Sequence, residues 1–348
     1  MSFSHRNYRA YGTLVLCLLL SGAICASDRV TNVSDSVSSP GAEKAVSAYQ
    51  LLKRMSHAFR TVSYHGRFVY MANNKLRSLK VIHTNLDGQE FERLSPLSGG
   101  GPEIFRKGDE LVCIHPEGNF MRLGNSIPSG PFANKFSQAG EQIDQYYRLV
   151  DKGSDRIAGR LATRYLMQPQ DQYRYAYALW LDSESGLLLK ATLLGVEGQD
   201  LETFEFIELN VGVDLPKKLF DYQSIDRSDD SLVVNLKGKI SPSKDAAWEA
   251  GWVPGGFKMA ACDVRRISAR SAEVSALVYS DGISSFTVFI EPFLSSKGDE
   301  IMPPGHHGAT TMHSHTVNDG GNKVMITVVG ELPMNAIKKV GASVVRKK

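Results

Sequence analysis

The stretch Val278-Tyr279-Ser280-Asp281-Gly282-Ile283-Ser284-Ser285-Phe286-Thr287-Val288-Phe289-Ile290-Glu291-Pro292 decides helix against sheet for the C-terminal third of the chain. Two β-prone runs flank Asp281-Gly282, and such a pair between apolar runs marks a tight hairpin whose turn takes positive φ. In the second run Phe286, Val288 and Ile290 fall on one side and Thr287 and Phe289 on the other. That is the period of two of a half-buried strand. Antiparallel sheet is the starting point.

Working outward, Trp252-Val-Pro-Gly-Gly-Phe257 leads into a strand over 258–266, and after the hairpin come a strand over 310–317, the turn Asn318-Asp-Gly-Gly321 and a strand over 323–329. Pro333 stands near the start of a closing helix that is expected to reach about Val345. Lys338, Lys339, Arg346, Lys347 and Lys348 crowd the end of that helix, where cations complement the helix dipole. Contact with anionic lipid or an acidic partner stays open.

Upstream, 215–247 is polar, with Asp226-Arg-Ser-Asp-Asp-Ser231 and Ser241-Pro-Ser-Lys-Asp245, and reads as a linker. Before it, Val46, Tyr49, Leu52, Met55 and Phe59 recur every three or four residues, an apolar stripe that predicts a helix over 43–60. Strands are expected over 64–71, 76–84, 90–95, 104–106, 111–115, 120–123, 145–151, 156–157, 161–168, 173–181, 187–195 and 201–211, with a short helix over 132–140. Short strands with turn signals every eight to twelve residues or so read as one large antiparallel sheet. Its apolar face needs a cover, and the helix over 43–60 and the segment over 132–140 are the available ones. The fold class is therefore α+β: a large curved antiparallel half-barrel over helices, then a smaller antiparallel sheet domain with a C-terminal helix.

At the N-terminus, Arg6 and Arg9 precede an apolar run from Leu14 to Leu20 and small residues up to Ala26. Basic, apolar, small is the order of a secretory signal peptide, and the run is too short for a permanent anchor. Residues 1–26 are expected to be removed, without lipid on Cys25 because the bulky Ile24 precedes it, and 27–42 form a polar, Ser-rich leader. The resulting division is 1–26 signal, 27–42 leader, 43–214 first domain, 215–247 linker and 248–348 second domain. Loss of Arg6 and Arg9 brings the 40 basic residues down by two against 37 acidic ones. So balanced a surface argues against nucleic acid. Cys113 and Cys262 then remain. One bridge between them is open in an oxidising compartment, although their separate β runs favour two buried thiols.

No catalytic signature stands out: GxSxG, HExxH, P-loop and dinucleotide fingerprints are missing from the sequence. Ser241-x-x-Lys244 falls in the linker. His313 and His315 share a strand face at a chelating spacing, and His306 and His307 follow Pro303-Pro-Gly305, but the cluster holds no Cys or acidic ligand. An exposed titratable segment is the reading, with no metal and no cofactor assigned. The Leu97-Ser-Gly-Gly-Gly-Pro102 loop lacks the Lys-Thr and helix start of a phosphate cradle and reads as a hairpin loop. Tyr173, Tyr175 and Tyr177 share a face from which Trp180 points away, so either face can be core.

Glu92-Arg-Leu94, Leu97, Pro102-Glu-Ile104, Arg106, Gly108 and Val112-Cys113, with Gly251-Trp252, Pro254-x-Gly-Phe257, the 279–292 hairpin, Gly308-Ala-Thr310 and Val328-Val-Gly-Glu-Leu-Pro333, carry a resemblance. On these the chain resembles the periplasmic sigma-E factor regulatory family (RseB/MucB type) over about residues 45 to 345. The resemblance implies a lipoprotein-carrier-like first domain and a second domain that docks the periplasmic part of a membrane-bound anti-sigma factor. Docking shields that part from site-1 proteolysis, and lipid or lipopolysaccharide prompts release. The His-rich 306–315 segment departs from the family pattern. Partner contact is expected at Asp281, Gly282, Phe286, Thr310 and Thr311, along the 308–317 strand and at the 97–102 loop; a lipid cavity is expected along Val46, Tyr49, Leu52 and Phe59. A lipid or lipoprotein carrier is the alternative function, and a homo-oligomer stays open.

Overall fold

The computed structural model describes residues 47–347 apart from 109, 117–119, 124–139, 223–233, 237–246, 268–271 and 294–304. The expected signal peptide, the leader, Val46 and nearly all of the expected 132–140 helix lie outside the described residues.

Helix α1 (Ala48–Thr61) follows Ser47, which is extended and caps it, and residues 43–46 of the expected helix lie outside the described residues. The Ser47 hydroxyl accepts from the Gln50 N–H at 3.1 Å and donates to Asp144 at 2.7 Å, while the Tyr49 N–H donates to the other Asp144 oxygen at 3.2 Å. A carboxylate against free N–H groups and the positive end of the dipole is a stable start. Leu51, Leu52, Met55, Ala58 and Phe59 form the buried stripe.

Strands β1 (Tyr64–Ala72), β2 (Lys75–Leu86), β3 (Gln89–Pro96), β4 (Glu103–Lys107), β5 (Glu110–Ile114) and β6 (Phe120–Leu123) make one meander. A second comprises β7 (Tyr147–Ile157), β8 (Arg160–Pro169), β9 (Ala176–Asp182), β10 (Leu188–Leu194) and β11 (Asp200–Val211). Antiparallel pairing of β11 with β1 joins them, and β12 (Val234–Leu236) adds parallel to β6, giving one open twelve-stranded sheet with β12 and β7 at its edges. Where two strands are expected over 145–157, the single β7 shifts register between Asp151 and Ser154. The cause is a bulge: Gly153 has φ +83° and its N–H donates to the Asp151 carboxylate at 2.7 Å.

The passage expected as linker starts as part of this body. Leu215 and Phe220 are buried with Ile82 and Phe91, and Tyr222 is buried with Phe105, Val112 and Ile114. These side chains cover the face of β2–β5 opposite α1. Apolar residues within a polar passage explain the difference.

The chain continues through β13 (Trp248–Ala250), β14 (Lys258–Ile267), β15 (Ala272–Ser280), β16 (Ser285–Pro292), β17 (Gly305–His307), β18 (Thr310–Asp319), β19 (Asn322–Gly330), α2 (Met334–Ala342) and β20 (Val344–Arg346). Six of these strands form an open antiparallel sheet in the order β14-β15-β16-β19-β18-β17, and β13 pairs with β20. Phe286, Val288 and Ile290 meet Ile326 and Val328 in the core, closed by Leu332, Ala336, Ile337 and Val340 from α2 and the segment before it. The closing helix stops at Ala342, short of Val345; β-branched Val344 and Val345 extend and pair with Trp248–Ala250. Arg346 consequently bonds Asp319 at 2.8 Å instead of crowding a helix end. Cys113 and Cys262 stand as separate buried thiols in different sheets.

Candidate functional site

The residues with the most specific contacts lie in a seam between the two sheets, and the alternation of Tyr173, Tyr175 and Tyr177 builds one side of it. The Tyr175 hydroxyl donates to the Leu332 carbonyl at 3.1 Å and stands 3.1 Å from the Thr311 hydroxyl; that of Tyr177 is 3.2 Å from the Ser284 hydroxyl. Burial pushes the Tyr177 phenol well above its usual pKa, so a neutral hydroxyl enters the seam. Tyr173 meets Trp252 edge-on at 4.9 Å, and Lys339 lies 4.0 Å from the Trp252 ring while donating to the Tyr173 hydroxyl at 3.0 Å. Trp180 points to the opposite face, between Arg164 and Lys190, and its indole N–H donates to Asp155 at 2.7 Å.

Between the tyrosines, Arg174 is fully buried. Its Nε donates to Asp281 Oδ2 at 3.0 Å, Nη1 to Asp171 and Nη2 to the Gly255 carbonyl. The guanidinium lies 4.7 Å from the Tyr146 ring centre and 5.2 Å from that of Phe257. Every donating nitrogen thus finds an acceptor, as a buried charge requires. Gly255 and Gly256 press on the Tyr146 ring so closely that a Cβ on either would collide with it, and Gly256 takes φ +84°.

Asp281 does two jobs with one carboxylate. Oδ2 receives Arg174, while Oδ1 accepts the N–H groups of Ile283 and Ser284 at 2.9 and 2.8 Å. The turn is a four-residue loop closed by an Asp281 N–H to Ser284 carbonyl bond of 3.3 Å, with positive φ at Gly282. Its tip residue Ile283 is buried in the core of the first sheet.

A second contact point lies at the β17–β18 turn. The Gly308 N–H donates to the Asn73 side chain, whose amide NH2 contacts the His307 ring, and the Ala309 N–H donates to Glu202 at 3.2 Å. Tyr70 donates to the other Glu202 oxygen at 2.8 Å, and burial with the adjacent carboxylate raises its pKa. Ala309, like Ile283, belongs to the first sheet's core.

This arrangement buries Asp281, Phe286 and Thr311 of the expected partner surface. Asp281 and Thr311 are committed to the seam, and Phe286 is in the second core, stacked on Tyr279. Gly282 and Thr310 are half-buried. The turn is inward because its carboxylate is matched by a buried cation of its own chain. The 97–102 loop stays outside, with Leu97 50% exposed. The expected cavity wall is likewise core: Leu52 and Phe59 pack with Tyr64 and Phe68, whereas Tyr49 is at the rim under Lys53. His306 and His307 lie in β17; His313 and His315 stack at 5.6 Å on β18, with Gly341 of α2 against His315. Burial lowers both imidazole pKa values, aided by Lys338 at His313 and by His313 at His315. Among the described residues no group of three or more His, Cys, Asp or Glu could hold a metal. Arg174 and Asp171 are the residues that sequence reasoning missed; a lone Arg within a tyrosine run is their only local signal.

The chain matches the MucB/RseB N-terminal domain over residues 47–223 and the MucB/RseB C-terminal domain over 242–345. It is 32% identical over 314 residues to the sigma factor AlgU regulatory protein MucB of Pseudomonas aeruginosa, spanning 87% of this chain and 92% of that protein. The complex structure of Pseudomonas aeruginosa MucA/MucB is similar at a TM-score of 0.70 and 28% identity, covering 87% of this chain and 100% of that one. A crystal structure of MucB with no partner named gives 0.57 at 27% identity, covering 86% and 98%. Matched by both domains in order, the chain belongs to the MucB/RseB family.

Proposed function

We propose that this chain binds the periplasmic part of a membrane-bound anti-sigma factor and so restrains an envelope-stress sigma factor. The observation that carries the reading is the continuous similarity, through both sheets, to MucB as it stands with MucA. The chain acts as a binding protein in the periplasm, not as an enzyme, and shields its partner from site-1 proteolysis. Its first body, ending near Tyr222, is a half-barrel of the lipoprotein-carrier kind wrapped over α1, and the second begins near Trp248. The 97–102 loop and the strands flanking the seam are the surfaces that meet the partner. A simple lipid carrier leaves the second sheet and the seam without a use.

Lipid or lipopolysaccharide opposes the complex, and it can do so only by binding the free protein more tightly than the bound one. The test is a titration of the labelled periplasmic domain of the organism's own membrane anti-sigma factor into the exported full-length protein, with and without lipid. Saturable binding that lipid weakens is expected. Absence of binding overturns the regulatory reading, while equal affinity with lipid present removes the lipid switch alone.

A further inference from the structure

We propose that Arg174 is an interdomain lock and that the locked arrangement is the one that receives the anti-sigma segment, an inference that rests on the binding function above. Among the described residues the two bodies meet through contacts of unequal kinds: the buried Tyr175 and Tyr177 hydroxyls join neutral groups, and Ile283 and Ala309 bring apolar surface into the first core. The Asn73–Gly308 and Glu202–Ala309 bonds are part-buried. Lys339 on Tyr173 is exposed. Arg174 is a fully buried charge whose partners come from both sides: Asp171 from the first body, Asp281 and the Gly255 carbonyl from the second.

Such a centre is geometric more than adhesive. Burying both ions costs desolvation that their attraction largely offsets, so the closed seam gains little net free energy from them. A partly opened seam, by contrast, would leave Arg174 short of acceptors in a dry site, which is expensive. Intermediate openings are therefore disfavoured. The seam is shut with every donor matched, or parted far enough for water to reach the guanidinium and the Asp281 carboxylate. A two-position element of this kind is what a ligand needs in order to shift binding at a distance. This chain, with its seam closed, agrees better with the MucA-bound relative than with the MucB structure lacking a named partner. That is a difference between the two structures.

The experiment places spin labels on cysteines introduced at Val196 in the first body and Val345 in the second, both well exposed; the native thiols are buried and escape labelling. Wild-type full-length protein should give one narrow distance distribution, unchanged in 1 M salt because a buried pair is poorly screened. Arg174→Met should broaden it or add a second distance, and should weaken binding of the labelled anti-sigma periplasmic domain by tenfold or more. Asp281→Asn keeps the oxygen that closes the turn, removes the charge and should act alike, which covers a failure of Arg174→Met to fold. Narrow wild-type distances in both variants overturn the lock. Broadened distances with undiminished affinity overturn the link between closure and binding. If wild-type protein itself does not bind, the proposed function falls, and the distance measurement still decides the lock.

Discussion

Arg174 and Trp180 lie six residues apart and open onto opposite faces, yet they solve the same problem in different ways. At Arg174 the cation is inside: aromatic rings of Tyr146 and Phe257 surround it, and carboxylates from two bodies saturate it. At Trp180 the aromatic is inside and the cations are outside, with the charged groups of Arg164 and Lys190 over the indole. Both clusters contain an aspartate that accepts from the central group. The difference is what water can reach. Around Trp180 a lost contact is replaced by solvent, whereas around Arg174 nothing replaces it.

The sharpest way to break this contrast is Asp281→Ala. Removing one partner of a buried pair costs about 3–5 kcal/mol, and here it also strips the acceptor from the Ile283 and Ser284 N–H groups. Urea denaturation should show a loss of that order. Lys190→Ala is the matched change at the outer cluster. It gives up a cation–π contact worth roughly 0.5–1 kcal/mol at a solvated site and a 2.8 Å pair with Glu205, so a loss near 1 kcal/mol, shrinking in high salt, is expected in the same assay. A loss as large as that of Asp281→Ala would erase the distinction.

The smallest expected effect concerns a third way of burying a titratable group, which is to discharge it. His313 and His315 have folded pKa values below the ordinary imidazole value because burial penalises the cation. The unfolded chain then binds protons that the folded chain does not, so stability falls as pH drops from about 6.5 toward the folded values. A shallow downward slope between pH 7 and 5 should appear in denaturation midpoints and flatten in a His313→Gln, His315→Gln variant.

Much of this architecture was legible because periodicity reports burial directly. Phe286, Val288 and Ile290 alternate as a half-buried strand must, and the stripe from Leu52 to Phe59 announces α1. Periodicity says which face is covered, however, not what covers it. Asp281-Gly282 has the composition of a solvent-facing turn, and only Arg174, distant in sequence, turns it inward. Asp144 sets the start of α1 from a separate turn. The pairing of Val344–Arg346 with Trp248–Ala250 likewise depends on a strand nearly a domain away. The resemblance pointed to the family that both domains match, yet the placement of Gly255, Asp281 and Gly308 in an internal seam was invisible, because their partners are distant in sequence.

The junction of β1 with β11 has a kinetic consequence. During synthesis β1 and β2 are complete long before Asp200–Val211 exists, so the outer rim of β1, from Tyr64 to Ala72, has to wait for its neighbour. Pairings of such large sequence separation close slowly, since loop entropy is spent before any contact rewards it. Until then β1 is a bare strand edge, the kind of surface on which unfolded chains recruit one another. Refolding of the first sheet should be limited by that encounter, and a chaperone that masks residues 64–72 would act where the nascent chain is most vulnerable to aggregation.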